Sequence, residues 1–75
     1  MKNQIFLETF SNRLRFLRKS KNLKQVELAN QLDISITTIA KIETGTRSTS
    51  IDKLLLIADY FDVSCDWLLG RKEDE

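Results

Sequence analysis

Apolar residues recur along this chain at helical rather than strand spacing. Phe10, Leu14 and Leu17 fall at i, i+4 and i+7, which predicts a helix from Glu8 to Asn22 with one buried face. Arg13, Arg15, Lys19 and Lys21 mostly occupy its other side, and Asn22 suits the left-handed conformation that stops a helix. Leu28, Ala29 and Leu32 give the same period over two turns and predict a second helix from Gln25 to Leu32, followed by Asp33 as a turn residue.

The third segment carries two patterns. Ile34-Ser35-Ile36-Thr37-Thr38-Ile39 alternates with period two and is rich in β-branched residues, the signature of a strand. Ile39 and Ile42 are instead spaced i, i+3, with Ser35 placed as an N-cap and Gly45 as a stop. A lone strand in a helical chain has no partner for its backbone groups, so the expected element is a helix from Ile36 to Thr44. Gly45 to Ser50 reads as a loop. Ile51, Leu54, Leu55, Ala58 and Phe61 then form one stripe of a helix from Ile51 to Phe61, capped by Ser50 and with Asp52 in its first turn. A short fifth helix spans Cys65 to Leu69, with Ser64 as cap and Gly70 as stop. The expected architecture is all-α, five helices in one domain over residues 1–75. Its ordered part is expected at 8–70, between a short N-terminal arm and a C-terminal tail.

Composition narrows the function classes. The 75 residues suffice for one small domain and rarely enclose a deep substrate pocket. The chain has no His and one Cys, which removes the His-Cys zinc sites, the Ser-His and Cys-His nucleophile pairs and the imidazole base. Neither an enzyme nor a metal or other cofactor is expected. Cys65 has no partner for a disulfide within the chain, so a reducing cytoplasm is the expected compartment, and it reads as an ordinary small residue in a first helical turn. No apolar run approaches the roughly 20 residues needed to span a bilayer, so no membrane role is expected. The patch Ile5, Phe6, Leu7 is broken by Glu8, too short for a secretory core of about 7–15 residues.

The net charge of +1 is uninformative, but its distribution is not. Residues 1–47 hold nine basic and four acidic groups, whereas 48–75 hold three basic and seven acidic ones. A polyanion would meet the basic part first, although a solvated helix face with an acidic tail has the same composition.

The second and third segments, separated by a turn at Asp33 to Ser35, make a helix-turn-helix. In that motif the first helix crosses the phosphate backbone and the second presents its N-terminal residues to base edges in the major groove. Here Ile39 and Ile42 face inward, leaving Ile36, Thr37, Ala40 and Lys41 outward with no acidic residue among them.

These residues belong to a longer pattern. Arg13-Leu14-Arg15-x-Leu17-Arg18 is followed by Leu23-x-Gln25-x-x-Leu28-Ala29, then by Ile34-Ser35-x-x-x-Ile39-x-x-Ile42-Glu43-x-Gly45. Leu54-x-x-Ile57-Ala58-x-x-Phe61-x-Val63-Ser64 and Asp66-Trp67-Leu68-Leu69-Gly70 complete it. From Arg13 to Gly70, in order and without gaps, the chain resembles the Cro/phage-repressor (XRE-type) helix-turn-helix family. The resemblance implies a compact five-helix lambda-repressor-like DNA-binding domain. It also implies roles for individual residues. Ser35, Ile36, Thr37 and Lys41 stand where family members touch bases. Gln25, Thr44, Thr46 and Arg47 stand where they hold phosphate, and Gln25 also matches the residue that braces the recognition helix. Arg18 and Glu43 match a structural ion pair between the first helix and the end of the recognition helix, and Trp67 is expected in the core.

The chain departs from the family pattern in three places. Asp33 replaces the usual turn Gly. Lys24 replaces a Ser or Thr cap worth about 1 kcal/mol. Ile36 is apolar where relatives carry a polar reader, which suits a thymine methyl. The function expected is a sequence-specific double-stranded-DNA-binding transcriptional regulator, a repressor of phage or mobile-element type on a palindromic operator. The alternatives are an antitoxin-like protein-interaction module on the same fold and a controller that both activates and represses a neighbouring operon. Useful specificity requires two half-sites, hence a homodimer. Leu56 and Tyr60, spaced i, i+4 on the outer side of the fourth helix, and Leu69 are the expected interface. The competing expectation is that Leu56 packs on the arm around Ile5 and Phe6, leaving a monomer.

Overall fold

The structure, a computed structural model, describes residues 2–73, with side chains from residue 7 onward. The described residues form helices only: α1 (Lys2–Ser20), α2 (Gln25–Leu32), α3 (Ile36–Glu43), α4 (Ile51–Phe61) and α5 (Cys65–Leu68). The alternating stretch at residues 34–39 is therefore not a strand. Its Ser35 hydroxyl accepts the Thr38 amide at 3.1 Å and starts α3. Ser50 and Ser64 cap α4 and α5 in the same way.

The five helices stop on one device. Asn22, Asp33 and Asp62 have φ of 57°, 55° and 57°, and Gly45 and Gly70 have φ of 76° and 81°. After each of the first three, the next amide reaches back to the last turn: Leu23 to Arg18 O, Ile34 to Ala29 O and Val63 to Ala58 O, at 3.0–3.1 Å. This satisfies carbonyls the helix leaves open and turns Leu23, Ile34 and Val63 onto the core.

α1 begins at Lys2, not Glu8, so the residues read as an arm continue the helix. The side chains of Ile5 and Phe6 lie outside the described residues. The buried side of α4 also differs from the stripe expected of it. Ile57 is completely buried and Ala58 and Phe61 nearly so, whereas Ile51 is 75% exposed and Leu55 48%. Leu14, Leu28, Ile39, Ile42, Ile57 and Leu68 form the centre of the core, with contributions from all five helices. Trp67 packs partly buried against it, under the Arg13 guanidinium at 4.7 Å.

Among the described residues, one charged side chain is buried in this core. Glu43, at the end of α3, is 2% exposed. Arg18 of α1 grips its carboxylate with two hydrogen bonds, Nε to Oε2 at 2.6 Å and Nη2 to Oε1 at 2.9 Å, and donates Nη1 to Leu23 O at 2.7 Å. Gln25 of α2 adds Nε2 to Oε1 at 3.0 Å. The Glu43 carbonyl accepts from Ser11 Oγ at 2.5 Å and Arg15 Nη1 at 2.8 Å, both on α1. The hydrogen bond and charge of Glu43 raise the Arg18 pKa above its ordinary value against the opposing effect of burial, so Arg18 stays charged across the neutral range.

Removing one partner of a buried pair leaves an uncompensated charge. Arg18→Ala is therefore expected to lose about 3–5 kcal/mol of stability in urea denaturation. The double variant Arg18→Met with Glu43→Leu should lose less than Arg18→Ala alone. An unchanged midpoint for Arg18→Ala would refute this role for the pair.

Candidate nucleic-acid interface

The polar knot and the core fix α3 along one side, through Ile39, Ile42 and Glu43. Ser35, Ile36, Thr37 and Lys41 are exposed, and Ala40 is half-buried. Thr44, Thr46 and Arg47 continue this exposed surface past the end of the helix. α2 packs against α3, and its first residue, Gln25, is half-buried with its amide on Glu43.

Hydrogen bonding separates the candidate residues into committed and open groups. The Ser35 hydroxyl donates to Thr38 Oγ1 at 2.9 Å while accepting from the Thr38 amide, so its proton is already used. Thr44 and Thr46 both donate to Lys41 O, at 3.0 and 3.2 Å, and their hydroxyls are 3.0 Å apart. They close the C-terminal end of α3 and would have to rotate to donate to an anion. Gln25 commits one amide proton to Glu43 and keeps the second. The first-turn amides of α2 have no partners within the helix, and with the helix dipole they favour an anion there.

The start of α2 lacks a conventional cap. Lys24 is the N-cap residue and offers no side-chain acceptor, while the Glu27 carboxylate accepts the Lys24 amide at 2.7 Å. Half of a capping box is thus present, and Lys24 itself is exposed.

The basic half of the chain is only partly available to a ligand. Arg18 is bound to Glu43. Arg13 donates to the carbonyls of Trp67 and Lys72 and pairs with Glu73. Arg15 is shared between Glu43 O and Asn12. Lys24, Lys41 and Arg47 are exposed on and beside the two helices of the motif. Sequence reasoning gave no role to Ser11 or Arg15, whose partner is a backbone carbonyl that no residue pattern reveals. Thr38 was also missed, although its spacing from the Ser35 cap could have identified it.

The three residues expected at a dimer interface differ in exposure and surroundings. Leu56 is 47% exposed. Tyr60 is half-buried, edge-on to Phe61 at 5.0 Å and 5.9 Å from Lys21 Nζ. Leu69 lines a groove of about 450 Å³ together with Leu7, Phe10, Ile51 and Leu54. Among the described residues, no group of three or more His, Cys, Asp or Glu could hold a metal ion, and no helix is long and apolar enough to cross a membrane.

A family model described as Helix-turn-helix matches residues 14–68. The HTH-type transcriptional regulator AnsR of Bacillus subtilis is 42% identical over 64 residues, a match covering 85% of this chain and 55% of AnsR. The cryptic phage CTXphi transcriptional repressor RstR of Vibrio cholerae is 37% identical over 59 residues, covering 79% of this chain and 53% of RstR. The chain thus spans about half the length of these two relatives. The crystal structure of the restriction-modification controller protein C.AhdI from Aeromonas hydrophila superposes with a TM-score of 0.74 at 32% identity, covering 83% of this chain and 94% of C.AhdI. With the match running from Leu14 in α1 to Leu68 in α5, the chain belongs to the helix-turn-helix family, of the Cro/phage-repressor (XRE) type.

Proposed function

We propose that this chain is a transcriptional regulator that binds double-stranded DNA sequence-specifically in the cytoplasm, a repressor of phage or mobile-element type. It acts by binding rather than by catalysis. The observation that carries this reading is the mounting of α3: one side is fixed by Ile39, Ile42 and the Glu43 knot, and the other presents Ser35, Ile36, Thr37 and Lys41 to solvent without an acidic group. In this reading α3 enters the major groove, with Ile36, Thr37, Lys41 and the remaining acceptor of Ser35 at base edges. Gln25 and the α2 amides hold one phosphate, and Thr44, Thr46 and Arg47 hold another. Ser35 and the two threonines contribute less than the exposed Lys41 and Arg47, because their protons have partners within the chain. A second reading, a controller of a neighbouring operon, is supported by the match to C.AhdI over 94% of that chain.

The regulator works as a two-fold homodimer on a palindrome. A helix of eight residues meets few base pairs, and half-sites one turn apart have centres about 34–36 Å apart. Ile51, Leu55 and Leu56 supply apolar surface on α4 that the core leaves exposed. Ile51 and Leu55 extend the interface beyond Leu56, Tyr60 and Leu69.

Selection from a random DNA pool is expected to return a palindrome, and a pool with no preferred sequence would overturn the reading. On the selected site, Lys41→Ala should cost about 1–3 kcal/mol and relax preference at one position of each half-site. Gln25→Ala should weaken binding on all sequences alike, and a shift in the preferred site would remove Gln25 from the phosphate role. In analytical ultracentrifugation, the wild type should sediment as a dimer on the full operator, and Leu56→Glu should shift the free and bound protein toward monomer. If wild type and variant both sediment as monomers on a single half-site with equal affinity, the dimer is wrong.

A further inference from the structure

Resting on the reading of α3 as the recognition helix, we infer that Ile36 is a specificity-determining residue that reads the C5-methyl group of a pyrimidine, a thymine in unmodified DNA, in each half-site. Ile36 is the first residue of α3 and is 46% exposed. Its side chain is hydrocarbon only. Set against a purine N7, a guanine O6 or an amino group, it would strip water from a polar atom and return no hydrogen bond. The thymine methyl is the one apolar group on the major-groove edges of the bases.

The neighbours of Ile36 do not supply a hydrogen-bonding substitute. Ser35 and Thr38 satisfy one another, through Oγ to Oγ1 at 2.9 Å and amide to Oγ at 3.1 Å. Of the polar side chains that remain exposed on α3, Thr37 carries one short hydroxyl and Lys41 a single cationic head. None of these side chains offers the planar two-pronged geometry that distinguishes adenine or guanine at the start of the helix. Lys41 lies five residues further on, roughly 7.5 Å along the axis at 1.5 Å per residue. The two side chains therefore meet different positions of each half-site. A cytosine methylated at C5 carries its methyl on the same ring carbon and offers Ile36 the same contact.

The test replaces each thymine of the selected operator, one at a time, by deoxyuridine, which removes the methyl and nothing else. Affinities are measured by fluorescence anisotropy for the wild type and for Ile36→Ala, whose exposed position leaves the core untouched. One thymine per half-site should lose about fourfold in affinity with the wild type, the worth of one buried methyl. It should lose nothing with Ile36→Ala. At the same position, 5-methylcytosine should bind the wild type more tightly than cytosine. A preferred operator insensitive to every uracil replacement overturns the inference and leaves the regulator reading standing. A loss of equal size in Ile36→Ala also overturns it and assigns the methyl contact to another side chain, Thr37 first. A pool without any preferred sequence overturns both.

Discussion

A carboxylate cannot be buried alone, and the placement of α3 follows from how this chain meets that demand at Glu43. Desolvating a carboxylate costs several kcal/mol, which is recovered only by opposite charge and well-made hydrogen bonds. Arg18 supplies the charge, Gln25 supplies a third bond to the carboxylate, and Ser11 and Arg15 occupy the carbonyl of the same residue. The donors come from α1 and α2, so one side chain ties three helices together. Hydrophobic burial of Ile39 and Ile42 holds α3 down, but that force has no direction. The forked Arg18–Glu43 contact has one geometry, and it sets the angle at which an eight-residue helix faces outward. A helix of two turns has little stability of its own, so its orientation has to be imposed by what it packs on.

The ends of the helices obey local rules except where the proposed function lies. Ser35, Ser50 and Ser64 cap their helices, and the left-handed residues Asn22, Asp33, Gly45, Asp62 and Gly70 stop them. α2 breaks the pattern. A lysine stands at its N-cap, without an acceptor and with its positive charge at the positive end of the helix dipole. Both features oppose stability. In the DNA-bound reading both favour a phosphate, which brings acceptors to the open amides and charge to Lys24. Departures from local consistency are expected at functional sites, and this departure adjoins Gln25.

Much of the fold could be read from residues, and the failures have specific causes. α2 and α4 begin and end where the sequence reading places them: Ser50 marks the start of α4 and Asp33 the end of α2, while the uncapped start of α2 was legible from the period of Leu28, Ala29 and Leu32 and from family resemblance. The β-branched run at 34–39 carried opposing propensity, and the absence of any strand to pair with decided for helix. The start of α1 was illegible because no cap or apolar period marks Lys2. In α4 the difficulty was excess: eight of eleven residues are apolar or aromatic, so several helical phases fit equally well. Contacts with the other helices chose the phase that buries Ile57 and exposes Ile51. The approach of Arg18 to Glu43 was legible only through family resemblance, since 25 residues separate them. The roles of Ser11 and Arg15 were hidden because their acceptor is a main-chain carbonyl, whereas the commitment of Ser35 to Thr38 was available from the three-residue spacing of its cap.

The surplus of apolar residues on α4 has a consequence for the whole molecule. A domain of 75 residues has a small interior, and one α4 face already fills its share of it with Ile57, Ala58 and Phe61. Ile51, Leu55 and Leu56 are left exposed. A second copy related by a two-fold axis is the simplest cover, because the same patch then serves both partners. Cover of this kind would link association to stability, since the dimer exists only in the folded state and its population rises with concentration. It would also link association to DNA binding. In the proposed dimer, two α3 helices held by one interface would engage the second half-site at a high effective concentration once the first is bound. The burden on each small recognition surface would fall accordingly. A helix that offers one apolar side chain, one free hydroxyl and one lysine to the bases would then suffice, because symmetry would read every position twice.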